Sequence, residues 1–170
     1  MIIRHYKVPV KHPIIFYQIN IKEIDTDYFI NKINQNINPD LSFTTNVKGH
    51  MTDWNLFEKD ENFLRLLAQI HQENNLDFDN DLKLVDAWGI KMEEGCQTIK
   101  HNHIENSISG SFYLNDCDNK IFFPQLKLEI SIKKNTCIFF SSILEHYTTP
   151  IKKDTKYAIV FNFNEKRDWR

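Results

Sequence analysis

The hydrophobic pattern changes period partway along the chain. Two apolar runs at the start, residues 2–10 and 14–21, read as strands, the second being Ile-Ile-Phe-Tyr-Gln-Ile-Asn-Ile. Helical spacing follows. Tyr28, Phe29, Ile33 and Ile37 would share one face of a helix capped by Asp25 or Thr26, whose short polar side chains can accept from the free N–H groups of a first turn. After a polar stretch from Asn38 to Trp54, Asp60 opens a second helix with Phe63, Leu64, Leu67 and Ile70 at helical intervals. From Leu82 onward the apolar residues fall into short runs separated by Asn, Asp and Lys turns: 82–92, 98–103, 108–114, 120–123, 125–132, 136–140 and 156–163. The pattern predicts an α+β chain, a jelly-roll or sandwich core of antiparallel strands with two supporting N-terminal helices. We read residues 1–170 as a single domain, with strands and helices over 1–81 and the β core over 82–164.

Composition narrows the classes. With 170 residues, 41% of them hydrophobic and 13 of them Phe, the chain can bury a substantial core and is not a disordered one. A formal net charge of -2 argues against nucleic acid or an anionic membrane as partner. The three cysteines, Cys96, Cys117 and Cys137, lack CxxC spacing and read as reduced thiols of a cytoplasmic protein, host cytoplasm if the source is viral. The first residues carry no long apolar core of a signal peptide, and no run is long enough to cross a bilayer as a helix.

The candidate chemistry lies in the β half. His101 and His103 are two residues apart, so on an extended strand both imidazoles leave the same face. His146 follows the apolar run Cys137–Phe140 and a short turn. Three neutral ring nitrogens converging from neighbouring strands would hold iron or zinc. Lys156 stands in a strand whose flanks, Tyr157-Ala158-Ile159-Val160-Phe161, belong in a core; a cation there needs an anion unless it points to the open face. Metal plus buried cation points to a metal-dependent oxygenase using an acidic co-substrate.

Two motifs carry a resemblance. The run His101-x-His103-x5-Ser109-Gly110-x-Phe112-Tyr113-Leu114 resembles the metal-binding strand pair of small 2-oxoglutarate/Fe(II) oxygenases of bacteria and phages. The run Ile138-Phe-Phe-Ser-Ser-x3-His146-x3-Pro150-x5-Lys156-x-Ala158-Ile159-x-Phe161-Asn162 resembles their later signature, and Trp88-Gly89 and Gly95 fit as well. The chain is also similar to the prolyl 4-hydroxylase group, over Leu82 to Asn164. The resemblance implies a double-stranded β-helix, Fe(II), 2-oxoglutarate as co-substrate, dioxygen, ascorbate as an auxiliary, and hydroxylation of a C–H bond in a small-molecule or peptide substrate. By position it implies His101 and His146 as ligands, Tyr113 and Lys156 on the distal carboxylate of the co-substrate, and Asn162, Ser142 and Thr148 as further contacts.

The chain departs from that pattern twice. The usual HxD or HxE is His101-Asn102-His103, so either His103 replaces the carboxylate or Glu105, on the same strand face in a shifted frame, supplies it. Lys156 stands where Arg is expected and offers charge without a bidentate fork. Two other readings fit some of the same residues. A cupin-type metalloprotein would share Gly95-x5-His101-x-His103 but leaves Lys156 without a role, and a catalytically inactive oxygenase-like binding module would tolerate both departures. The polar stretch around Thr44 to Trp54 reads equally as a substrate lid or as a plain surface loop. Exposed Phe and Ile on the early strands would suit a homodimer.

Overall fold

The computed structural model describes residues 14–22, 24–74, 76 and 82–165, and the run at 2–10 lies outside them. In chain order they form β1 (Phe16–Asn20), α1 (Thr26–Gln35), β2 (Ile37–Asn38), β3 (Val47–Lys48), β4 (His50–Thr52), α2 (Glu61–Asn74), β5 (Leu82–Met92), β6 (Gln97–Thr98), β7 (Ile108–Tyr113), β8 (Lys120–Phe123), β9 (Leu128–Ser131), β10 (Thr136–Ser141), β11 (Tyr147–Thr148) and β12 (Lys156–Glu165). Seven strands make one antiparallel sheet in the order β1-β10-β7-β12-β5-β4-β2. The three-stranded sheet β11-β8-β9 and the pair β3-β6 make the smaller, second layer.

Burial explains why the central strands look almost uniformly apolar in sequence. One core cluster lies between the sheets and joins Trp88, Ile90, Tyr113, Ile138 and Phe140 to Ile121, Phe123 and Ile130. A second lies under the helices and joins Phe29, Ile33, Phe63 and Ile70 to Phe112, Phe139, Ile159 and Phe161. Alternate residues of β10 and β12 therefore serve different cores, Ile138 and Ala158 on the inner side and Phe139, Ile159 and Phe161 on the helix side. Gly110 belongs to this second interface. A Cβ there would lie 2.3 Å from the Phe161 ring and 2.9 Å from the Ile138 carbonyl, so the ring crosses the strand where no side chain stands. Gly89 does the same for α1, since its Cβ would meet Ile33 at 2.4 Å.

The helices begin where polar caps allow. Asp25 accepts from the Tyr28 N–H at 3.2 Å. Asp60 caps α2 through the Phe63 N–H at 2.8 Å and also accepts from the Tyr28 hydroxyl at 2.7 Å and Lys32 Nζ at 2.5 Å, so one carboxylate ties the two helices together. Burial alone would push the Asp60 carboxyl up, but these donors hold it below its ordinary value.

Several expectations need correction. Ile37 leaves α1 for β2, and the buried face of α2 is Phe63, Leu66 and Ile70, with Leu64 exposed. The Thr44–Trp54 stretch is not a plain surface loop. It supplies the short strands β3 and β4, buries Met51 and Thr52 completely, and pins Gly89 N–H to the Thr52 hydroxyl at 2.9 Å. The strand expected at 98–103 shortens to β6 with an isolated bridge at His101. The strand expected at 125–132 begins only at Leu128, after a 3-10 turn at Pro124–Leu126.

Candidate metal centre

His101 and His146 face each other in an isolated antiparallel bridge that exchanges both backbone hydrogen bonds, His101 N–H to His146 O at 3.1 Å and His146 N–H to His101 O at 2.9 Å. His103 lies beyond the bridge on irregular backbone, where its N–H donates to Ser142 O at 2.9 Å. Main-chain bonds thus fix all three residues before any side chain acts. One potential ligand atom from each of His101, His103 and His146 lies within 4.8 Å of the others. The ring centroids are 4.3 Å apart for His101 and His146, 4.8 Å for His101 and His103, and 5.3 Å for His103 and His146.

The surroundings keep all three rings neutral and orient two of them. His101 Nδ1 lies 2.8 Å from the Ile99 carbonyl and His146 Nδ1 lies 3.2 Å from the Leu144 carbonyl. A carbonyl only accepts, so each Nδ1 carries the proton and Nε2 keeps its lone pair, the arrangement a metal ligand needs. Burial pushes the His146 imidazole down to about 3 and His103 down to about 4, in each case with nearby histidine charge adding to the effect. Burial also lowers His101, against its bond to Ile99. Phe140 and Phe123 pack on the His146 ring, at centroid distances of 4.8 and 5.7 Å. Three uncharged nitrogen donors in an apolar wall suit a first-row divalent ion. Glu105 is outside the set: it is exposed in the turn after His103, so it shares no strand face with the histidines. A second group, Cys117, Asp118 and Asp154, also brings ligand atoms within 4.8 Å. The Lys156 charge acts on Cys117, and a cation there opposes a metal.

Lys156 opens β12 opposite Met92 and points between the sheets, 2% exposed. Among the described residues no carboxylate pairs with it. Burial lowers its ammonium to about 8, against the partial compensation of Cys117 and Cys96. An unpaired cation held in a core is costly, and it suits an anion that arrives with a ligand. Tyr113 lies on the same inner side, in register with Ala158, and is likewise 2% exposed. Burial raises its phenol far above the ordinary value, so it stays a neutral donor, in contact with the Ser111 side chain.

The other candidates are already engaged. Asn162 donates through Nδ2 to Asp86 at 2.8 Å and accepts at Oδ1 from the Ser109 hydroxyl at 2.6 Å. Ser109 meets Ser142 at 2.8 Å, and the Ser142 carbonyl holds His103. Asn162 and Ser142 are therefore links in a buried chain from Asp86 to the metal-site backbone, and Asn162 has little left to offer a co-substrate. Thr148 accepts from Thr98 N–H at 2.9 Å and joins β11 to β6. Sequence reading missed Asp86, and it gave Ser109 only as a motif position without a role. The alternation of β5 puts Asp86 on the inner face two residues from Trp88, and that was the available signal. Trp88 is 3% exposed and its Nε1–H has no acceptor among the described residues.

The sequence matches no family profile and no curated protein. Solved structures do match. The viral collagen prolyl hydroxylase vCPH of Paramecium bursaria Chlorella virus-1, in complex with 2-oxoglutarate, superimposes with TM-score 0.64 at 16% identity, covering 88% of this chain and 96% of its own. A prolyl 4-hydroxylase of Pseudomonas putida gives 0.61 at 13% identity, covering 89% and 93%. HygX of Streptomyces hygroscopicus, with nickel and 2-oxoglutarate bound, gives 0.67 at 13% identity, covering 91% and 85%. At these identities the likeness is one of fold, and it agrees with the family the two sequence motifs resemble. The chain has the antiparallel jelly-roll fold, with two helices, that the prolyl 4-hydroxylases and related 2-oxoglutarate/Fe(II) oxygenases share.

Proposed function

We propose that the protein is an Fe(II)- and 2-oxoglutarate-dependent dioxygenase, acting as a hydroxylase within a single domain spanning residues 1–170. The observation that carries this reading is the pairing of a clustered, neutral three-histidine set with a buried cation that lacks an anion, on an oxygenase fold. In this reading His101 and His146 would hold the iron through Nε2, and His103 would supply the third ring nitrogen. Lys156 neutralises the distal carboxylate of 2-oxoglutarate, and Tyr113 donates a hydrogen bond to it. Bound iron would supply dioxygen activation coupled to oxidative decarboxylation of the oxo acid to succinate. The chain's own residues fix the imidazoles, orient the oxo acid and exclude water with Phe123, Phe140 and the inner core.

The substrate is a small molecule or a peptide. Prolyl hydroxylation is one candidate, by likeness to vCPH and the bacterial enzyme, and HygX widens the range because one of its structures holds hygromycin B. Ascorbate, a homodimer and a cytoplasmic setting belong to the same proposal. Among the described residues no helix is long and apolar enough to cross a membrane.

The test is iron-dependent consumption of 2-oxoglutarate with formation of succinate, measured without added substrate. Slow succinate release lost in His146→Ala supports the reading. Metal binding with no effect of 2-oxoglutarate would move the assignment to a cupin-type metalloprotein, and absence of metal binding would make it an inactive binding module.

A further inference from the structure

The inner face of the large sheet carries a carboxylate that no cation balances. Asp86, Asn162, Ser109 and Phe140 stand in one row across β5, β12, β7 and β10, and the Phe140 ring packs on His146 at 4.8 Å. Two strand spacings, about 10 Å, separate Asp86 from Ser109, whose hydroxyl meets Ser142 beside the metal-site backbone. Asp86 is half-buried and accepts from Asn162 Nδ2 at 2.8 Å. Among the described residues no Lys, Arg or His pairs with it. Burial pushes its carboxyl up, against the hydrogen bonds from Asn162, and Glu58, of like charge, pushes the same way.

The neighbours of this carboxylate are aromatic. The Trp54 ring packs edge-on against Trp88 at 4.7 Å, and 41% of Trp54 stays exposed. The Trp54 carbonyl accepts from the Ala87 N–H at 2.9 Å, so the main chain pins this residue beside Asp86. Trp88, two residues along the same face, is buried, and its Nε1–H has no acceptor among the described residues. A carboxylate without a cation and an open indole beside it are the two groups that attract an ammonium or a guanidinium, one by charge and hydrogen bond, the other by its ring face. Partial burial strengthens that attraction relative to water.

We propose that Asp86 selects the substrate, taking a protonated amine of that molecule against the Trp54 indole while the rest of it extends along the row towards the histidines. The inference rests on the oxygenase reading above and names its substrate class: a cationic molecule whose amine lies on the order of 10 Å from the histidine end of the site. The shared chemistry is a protonated amine, carried by a free small molecule or by a lysyl side chain of a peptide.

The experiment uses the full chain, labelled with nitrogen-15 and loaded with diamagnetic Zn(II), and follows the indole N–H resonances of Trp54 and Trp88. The protein is titrated at constant ionic strength with butylammonium chloride, with 1-butanol as the neutral control, and with the methylamides of acetyl-lysine and acetyl-norleucine. The expected result is a saturable shift of the indole signals, with butylammonium at least about tenfold tighter than 1-butanol in the wild type. In Asp86→Asn, which keeps an oxygen for the Asn162 amide and loses the charge, the two should bind within about threefold of each other. A merely structural role for Asp86 would not move that ratio. Acetyl-lysine methylamide binding more tightly than butylammonium, and than its norleucine counterpart, assigns the amine to a peptide side chain; the reverse order assigns it to a free small molecule. Equal binding of butylammonium and 1-butanol to the wild type, or a preference that survives in Asp86→Asn, overturns the inference and leaves the metal reading intact. Zn(II) that fails to shift the histidine ring resonances overturns the metal reading, while the amine titration still decides whether Asp86 holds a cation. If Asp86→Asn does not fold, Trp54→Leu, a change at an exposed ring, must lower the preference for butylammonium at least about twofold, and an unchanged preference overturns the inference.

Discussion

Replacing Lys156 by Met removes a buried ammonium while nearly conserving volume, and the consequence for stability can be worked from the structure. Burial lowers Lys156 from 10.5 to about 8. At about 1.4 kcal/mol per pH unit, holding the charged form costs the fold roughly 3 kcal/mol. The folded chain binds this proton less firmly than the unfolded chain does, so the penalty is complete below pH 8. It fades as pH rises from about 8 to 10.5. Lys156→Met should therefore be more stable than the wild type at pH 7, by roughly 5–10 °C in Tm for a chain of this size. The gap should shrink by about half at pH 9.5. Metal alone should stabilise both proteins, since the variant keeps His101, His103 and His146, whereas adding 2-oxoglutarate should stabilise the wild type further and the variant much less at the same concentration. The assay is thermal denaturation of metal-free protein at both pH values, with and without the ligands. A variant that melts at or below the wild type at pH 7, with unchanged secondary structure, would refute the picture of an uncompensated buried cation.

Three further outcomes follow from the geometry. Glu105→Gln should leave metal affinity unchanged, whereas His103→Ala should weaken it at least about tenfold in a Co(II) titration, and the reverse order would return the second ligand to Glu105. Acidification should destabilise the metal-free fold: the buried histidines sit at about 3 for His146 and about 4 for His103, so the unfolded chain takes up protons first. Stability should then fall between about pH 6.5 and 4 in a denaturant series, and a flat profile over that window would contradict the burial of these rings. Gly110→Ala drives a methyl into the Phe161 ring and the Ile138 carbonyl, and should cost about 3 kcal/mol or more by chemical denaturation; a neutral result would mean that β7 does not lie against that ring as described.

How far the sequence could be read depends on what fixes each element. The limits of the strands Leu82–Met92 and Lys120–Phe123 agree with the periodicity, the first strand ending just before the Glu94–Gly95 turn and the second at Pro124. The short strands β3 and β4 owe their existence to partners far along the chain, Val47 opposite Thr98 and Met51 opposite Ile90, and β2 pairs in turn with β4, so a window around Asn38–Trp54 shows only a polar stretch. Helical spacing identified α2 but not its rotation, which Leu66 and not Leu64 decides by packing under the sheet. At the candidate centre, the spacing of His101 and His103 was visible, but their convergence with His146 depends on a single bridge between segments 45 residues apart. Asn162 looked available because its motif position is suggestive. Its amide is in fact consumed by Asp86 and Ser109, two residues whose proximity only the sheet register reveals.

The central claim is that one site holds a metal and a 2-oxo acid together, and an anaerobic titration tests it without knowledge of the substrate. Apo-protein is loaded with Fe(II) and then with 2-oxoglutarate while the visible spectrum is recorded. The account predicts a saturable charge-transfer band that is absent in His146→Ala and needs much more 2-oxoglutarate to appear in Lys156→Met. Iron binding with no band at any 2-oxoglutarate concentration would contradict it.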